Sequence, residues 1–170
     1  RTMIELASFR HEDVAAVAQL HRRVFHGKET APSQELIGYY DQLFRHNPWN
    51  TGDINSLVGR DSNGDIVGFM GVIPRPMMYH DREIRVAVGH RLMVDDRLPN
   101  ATLVAARLIR ACLQGAQDLF LNDGSSEEGR RVAVAAGATS IPQYSIKWVH
   151  PLRPGSWLVG LGAQRRKLRP

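Results

Sequence analysis

The chain has a single cysteine, Cys112, among 170 residues. This excludes an intrachain disulfide and any site that needs several thiolates, and it fits a reducing compartment. Cys112 falls on the apolar face of its segment, where a buried thiol packs as a small hydrophobe rather than serving as a nucleophile. No uninterrupted apolar run approaches the roughly 20 residues that span a bilayer, and Arg1 to Arg10 lacks the apolar stretch of a signal peptide. A cytoplasmic location is the resulting expectation. The seven histidines are scattered without ligand spacing, so no metal is expected. Walker, nucleophile-elbow and dinucleotide glycine patterns are missing as well.

An excess of one charge is also missing from most of the chain. The formal net charge is +5, but residues 1 to 150 hold 17 basic and 17 acidic side chains. The whole excess lies in Arg153, Arg165, Arg166, Lys167 and Arg169. A broad nucleic-acid footprint is therefore not expected. Trp157, Leu158, Val159 and Leu161 are too apolar for a solvated tail, so 155–170 reads as a basic extension or the start of a further element.

What is present is an alternation of two periodicities. Met3 to Phe9 reads as a strand and His11 to Phe25 as a helix, with Val14, Val17, Leu20 and Val24 on one stripe and Ser8 as its cap. Ser33 caps a second helix to Phe44. Ile54 to Arg60 and Ile66 to Ile73 read as strands around the Asn63-Gly64 turn. Pro74 and Pro76 are expected to interrupt the second of these. Glu83 to Val94 returns across a turn at Asp81-Arg82. A helix at Thr102 to Leu113, a strand at Leu119 to Asn122, a helix at Ser126 to Ala136 ended by Gly137, and a strand at Tyr144 to Val149 complete an α/β chain.

The most telling stretch is Val86 to Leu113, a strand feeding a helix through the polar turn Asp95 to Asn100. Unpaired N–H groups and the dipole at such a helix start favour an anion, phosphate or pyrophosphate. Asp95 and Asp96 oppose an anion there, by about 1 kcal/mol per pair at 4 Å in water. Arg97 and, more distantly, Arg91 offset them.

The two early helices, Asn63-Gly64 followed by Ile66-Val67-Gly68-Phe69, the strand ending Leu92-Met93-Val94, and the closing helix-Gly137-strand unit together resemble the GNAT superfamily of acyl-CoA-dependent N-acyltransferases. The resemblance covers roughly residues 3 to 150, with a GNAT-like domain over 1–154. Tyr39-Tyr40, Asn47-Pro48-Trp49 and Lys147 to Pro154 resemble larger bacterial GNAT-like proteins that carry a second domain. The resemblance implies a mixed sheet of order β-α-α-β-β-β-α-β-α-β with a splayed parallel pair. It also implies acetyl-CoA or another acyl-CoA as co-substrate, with the pantetheine arm on Leu92, Met93, Val94 and Asn122 and the pyrophosphate on Arg97, Asn100, Ala101 and Thr102.

Two departures accompany it. Asn100, Ala101 and Thr102 occupy the family's glycine region and Pro99 its basic position, removing an N–H and crowding the approach. Ala133 stands where many members carry the tyrosine that protonates the leaving thiolate.

For the general base, His90 is the first candidate, on the strand flanking the thioester, with an ordinary pKa near 6.5. Strand alternation groups it with Val86, Val88, Leu92 and Val94, so a partly buried structural histidine is the competing role. Asp123, at the end of the Leu119 strand, is the second, against a turn or cap aspartate. The expected partner is a small-molecule acceptor, an amine or hydroxyl compound, together with a second domain of a parent chain or a homodimer. The competing function is a catalytically silent GNAT-like module that binds a ligand or packs on another domain.

Overall fold

The computed structural model describes residues 4–122 and 124–141. Within the compact unit that ends at Ser140, five strands form one mixed sheet with the strands in sequence order. They are β1 (Glu5–Ser8), β2 (Leu57–Arg60), β3 (Ile66–Tyr79), β4 (Arg82–Val94) and β5 (Leu119–Leu121). The first four pair antiparallel. β5 joins β4 in parallel, as a helical crossover between the two requires.

Two apolar clusters lie on the two faces of the sheet. On one, helices α1 (Val14–His26) and α2 (Gln34–Phe44) bury Val17, Leu20, Tyr40 and Phe44 against Val58, Phe69, Ile73 and Met93. On the other, α3 (Ala101–Leu113) lays Val104, Leu108 and Cys112 on Val67, Met70, Val72 and Ala87. Helix α4 (Glu127–Ala135) follows β5. The expected strand at Tyr144 to Val149 lies outside the described residues.

Capping follows local chemistry. Ser33 Oγ accepts the Leu36 N–H at 3.3 Å, and Ser126 Oγ accepts that of Gly129 at 3.1 Å. Ser8 instead ends β1. The first helix opens with a single 3-10 turn at His11–Asp13, where the buried Asp13 carboxylate accepts the Arg10 N–H at 2.9 Å and pairs with Arg60.

The prolines do not interrupt β3, which runs through them to Tyr79. Val72 turns its backbone toward β2, donating to Ser56 Oγ at 2.9 Å and accepting from it at 3.3 Å. Pro74 and Pro76, at alternate positions, face the same side, where β2 is no longer present. Their missing N–H groups therefore cost no ladder bond. The return turn sits one residue earlier than expected, at His80 and Asp81, both with positive φ (45° and 61°). Two such residues give a turn of the twist a two-residue hairpin needs.

One irregularity in β4 shapes the site. Gly71 pairs with Arg91 but Val72 with Gly89, so His90 is an extra residue, a β-bulge. The bulge reverses the alternation of the strand. Val88 packs with the α1/α2 cluster, whereas Leu92 and Val94 pack with the α3 cluster. The grouping of His90, Val88, Leu92 and Val94 on one face is thus corrected. Gly71 supports the arrangement, because a Cβ there would lie 2.5 Å from the Phe44 ring.

Candidate functional site

β4 and β5 pair over only three positions, Val86 with Leu119, Ala87 with Phe120 and Val88 with Leu121. β5 then stops, while β4 continues from Gly89 to Val94. The Asp95 N–H donates to Val67 C=O at 2.9 Å, which fixes the direction of the alternate backbone groups before it. Met93 accordingly points its amide at β3, and Leu92 and Val94 point theirs into the opening left by β5. The Met93 side chain is buried, its Sδ 3.5 Å from the Tyr40 hydroxyl that donates to it.

Asn122 follows β5 and borders this opening. Its Nδ2 lies 3.2 Å from where a Cβ on Gly89 would be, and its Oδ1 accepts from Gly124 N at 3.0 Å and Ser125 Oγ at 3.1 Å. The neighbouring Asp123 lies outside the described residues.

At the far end of β4 the turn leads into α3. Leu98 N–H donates to Asp95 C=O and Ala101 N–H to Leu98 C=O, each at 3.2 Å. Val104 N–H returns to Asn100 C=O at 3.1 Å. Among the described residues, the amides of Thr102 and Leu103 have no such acceptor, so the helix start presents them with the positive end of the dipole. The Asn100 Oδ1 is buried, with no donor to it among the described residues.

The acidic character of the turn is largely neutralised by the protein itself. Asp95 is 4% exposed and accepts from Arg97 through its N–H (3.1 Å), Nε (2.9 Å) and Nη2 (2.8 Å), and from Arg23 Nη1 at 2.8 Å. These hydrogen bonds, those of Arg97 first, hold its carboxyl down at about 2 against the cost of burial. The remaining arm of Arg97 reaches Glu29 at 2.9 Å. Arg97 thus lies at the turn with its guanidinium engaged by two carboxylates. A cleft beside it is lined by Gln19, Arg23, Asp61, Asp65, Asp95 and Arg97.

On the α1/α2 face of the bulge, His90 is exposed, and its Nε2 lies 3.1 Å from the Tyr39 hydroxyl. Its ring sits near Phe44, 6.1 Å between centroids. Arg91 turns the same way, its guanidinium carbon 5.6 Å from the Phe25 ring centre. Beneath them His21 Nδ1 meets the Tyr40 hydroxyl at 2.8 Å. Burial, then Arg91 and His26, lower the His21 pKa. Burial raises the Tyr40 phenol above its ordinary range.

Tyr39 and the shared orientation of His90 and Arg91 were not foreseen from sequence. One signal was available for the second: Gly89 inside an otherwise regular strand pattern, a common mark of a bulge. Nothing local ties Tyr39 to a residue 51 positions away. Cys112 is buried, which pushes its thiol up to about 12, in keeping with a packing role.

Among the described residues no group of His, Cys, Asp and Glu could hold a metal ion, and no helix is long and apolar enough to cross a membrane.

No protein-family model and no curated protein matches the chain. Solved structures do. A glucosamine-6-phosphate N-acetyltransferase from Arabidopsis thaliana aligns over 88% of this chain and 99% of its own, with a TM-score of 0.59 at 15% identity. An aminoglycoside acetyltransferase from an uncultured soil metagenomic sample, in complex with sisomicin, aligns over 88% and 97% with a TM-score of 0.60 at 17% identity. An aminoglycoside N-acetyltransferase in complex with CoA aligns over 89% and 97% with a TM-score of 0.58 at 12% identity. Identities this low establish architecture rather than activity. The chain has the fold of the GNAT acetyltransferases.

Proposed function

We propose that the chain is an acyltransferase that moves an acyl group from acyl-CoA to an amine. The observation that carries this reading is the early end of β5, which among the described residues leaves the Leu92 and Val94 backbone without a strand partner on that side. Unpaired strand groups in a sheet interior bind an extended ligand by adding to the ladder, and an amide-bearing pantetheine arm is such a ligand. The fold shared with acetyltransferases, one of them holding CoA, points the same way.

The Thr102 and Leu103 amides at the α3 start suit the pyrophosphate. Asn100 Oδ1, orphaned and buried, gains from any ligand donor there, since an unmet buried acceptor costs about 1–3 kcal/mol. The side chains of Asn100 and Thr102 narrow the approach. Arg97 can serve the phosphates only by releasing Glu29.

In the reaction the amine nitrogen attacks the thioester carbonyl carbon and the C–S bond breaks. Backbone N–H from Leu92 or Val94 stabilises the oxygen as charge develops. His90, presented by the bulge and held by Tyr39, receives the proton of the attacking amine. Asp123 remains the second candidate for that task. With Ala133 at the usual tyrosine position, the thiolate takes its proton from solvent.

A second reading, a catalytically silent ligand-binding module, is favoured by two observations: Ala133 and the engagement of Arg97 by Asp95 and Glu29. Calorimetric titration with acetyl-CoA and CoA, followed by single-turnover loss of thioester with an amine present, separates them. Binding with turnover supports the enzyme, binding without turnover supports the silent module, and no binding contradicts both.

A further inference from the structure

Among the described residues, the other half-buried arginines find acceptors. Arg23, Arg45 and Arg60 pair with carboxylates, and Arg22 donates to the Ala31 carbonyl at 2.9 Å. Arg91 is the exception. It is half-buried, and among the described residues its Nε is enclosed without a partner and no carboxylate or carbonyl reaches its guanidinium.

Its surroundings make that charge costly. The groups facing it are the Phe25 ring, His21 and Tyr40, with the His26 ring tilted at 5.6 Å from that of His21. None carries negative charge near neutrality: a phenyl ring is uncharged, an imidazole is neutral or cationic, and burial disfavours the Tyr40 phenolate. A half-buried cation that faces these aromatic groups and no anion among the described residues is under-satisfied. The guanidinium fork matches a planar or tetrahedral oxyanion in two parallel hydrogen bonds.

The bulge gives this charge a functional neighbour. Residues His90 and Arg91 project from β4 onto the same face, their Cα atoms about 3.8 Å apart. One would receive the proton of an attacking amine while the other holds an anion. We infer that the acceptor is a small amine carrying an oxyanion, a carboxylate or a phosphate, which Arg91 binds so that the amine is placed at His90.

This inference rests on the acyltransferase reading for the amine's fate, but anion binding by Arg91 can be measured without acyl-CoA. The probes are matched amines: L-tyrosine against tyramine, β-alanine against propylamine, and O-phosphoethanolamine against ethanolamine. They are titrated into the isotope-labelled chain while the Arg91 Nε–H, His21 and Phe25 resonances are followed. The account expects an anionic member to shift these resonances at least tenfold more tightly than its neutral-tailed partner. The carboxylate and phosphate arms report which oxyanion is preferred. Arg91→Gln should abolish the preference, and Arg91→Lys, which keeps the charge but loses the fork, should retain part of it. Thermal melting of both variants verifies the fold, and if Arg91→Gln does not fold, the Lys variant carries the comparison.

Equal affinity within every pair, no shift with any anionic amine, or wild-type binding by Arg91→Gln overturns the proposal. Acetyl-CoA titration of the same sample tests the underlying reading separately. If acetyl-CoA fails to bind while the anionic amines still select Arg91, the acyltransferase reading falls and the anion site stands. If acetyl-CoA binds and turns over, loss of Arg91 should raise KM for the anionic acceptor at least tenfold and change kcat much less.

Discussion

The Tyr39 hydroxyl lies 3.1 Å from Nε2 of His90, joining the exposed face of α2 to the bulged position of β4. The contact helps to orient the imidazole, and orientation of the base is part of its catalytic value.

His90→Ala should therefore slow single-turnover thioester loss by about 100-fold, the usual effect of removing a general base. Tyr39→Phe, which leaves the imidazole in place, should cost about tenfold or less and alter the pH profile rather than acetyl-CoA affinity. Normal turnover in His90→Ala would move the role to Asp123 or to an amine that arrives deprotonated.

The Asp95 carboxyl gives a pH dependence. Its folded-state pKa of about 2 lies below the ordinary aspartate value of 3.8, so its stabilisation is fully present above about pH 4 and is lost as pH falls toward 2. The shift corresponds to roughly 2 kcal/mol, and Asp95→Asn should remove a similar amount at neutral pH. Urea unfolding at pH 7, 4 and 2.5 measures this, with the variant showing a flatter acid limb than the parent.

Gly71→Ala tests the packing under the bulge. The added Cβ would stand 2.5 Å from the Phe44 ring, and overpacking of this kind costs about 1–3 kcal/mol. The loss appears as a lower denaturation midpoint with an unchanged slope.

Access to the phosphate site is open to mutation from two sides. Glu29→Gln frees one arm of Arg97, and because the pair is exposed the gain in CoA affinity should be small, about two- to fivefold. Replacing Asn100 and Thr102 by glycine removes the side chains that crowd the α3 start and should tighten CoA further. Calorimetry on each variant decides whether the turn carries the pyrophosphate at all.

The sequence made the element order legible because most segments hold one clear pattern, a period of 3.6 in α1 and α3 and an unbroken apolar run at the start of β3. The errors fell where tertiary context overrides a local rule. Pro74 and Pro76 read as breakers, yet they occupy β3 because β2 ends beside them. His90 read as part of a regular alternation, yet the bulge reverses the face of every residue after it. Arg97 read as a cation that offsets Asp95 and Asp96 at an anion site; its pairing with Asp95 needs only two residues, but that with Glu29 spans 68 positions. The opening between β4 and β5 came from a resemblance in element order rather than from any residue type. Strand separation leaves no mark on hydropathy.

Assigned amide spectra of the chain, recorded while acetyl-CoA is titrated, test the central claim most directly. The account predicts that the Leu92 and Val94 amides shift and become protected from solvent exchange, followed by those of Thr102 and Leu103, while the Met93 amide, already directed at β3, changes little. Binding that leaves Leu92 and Val94 unaltered, or an absence of any shift at saturating acetyl-CoA, would contradict it.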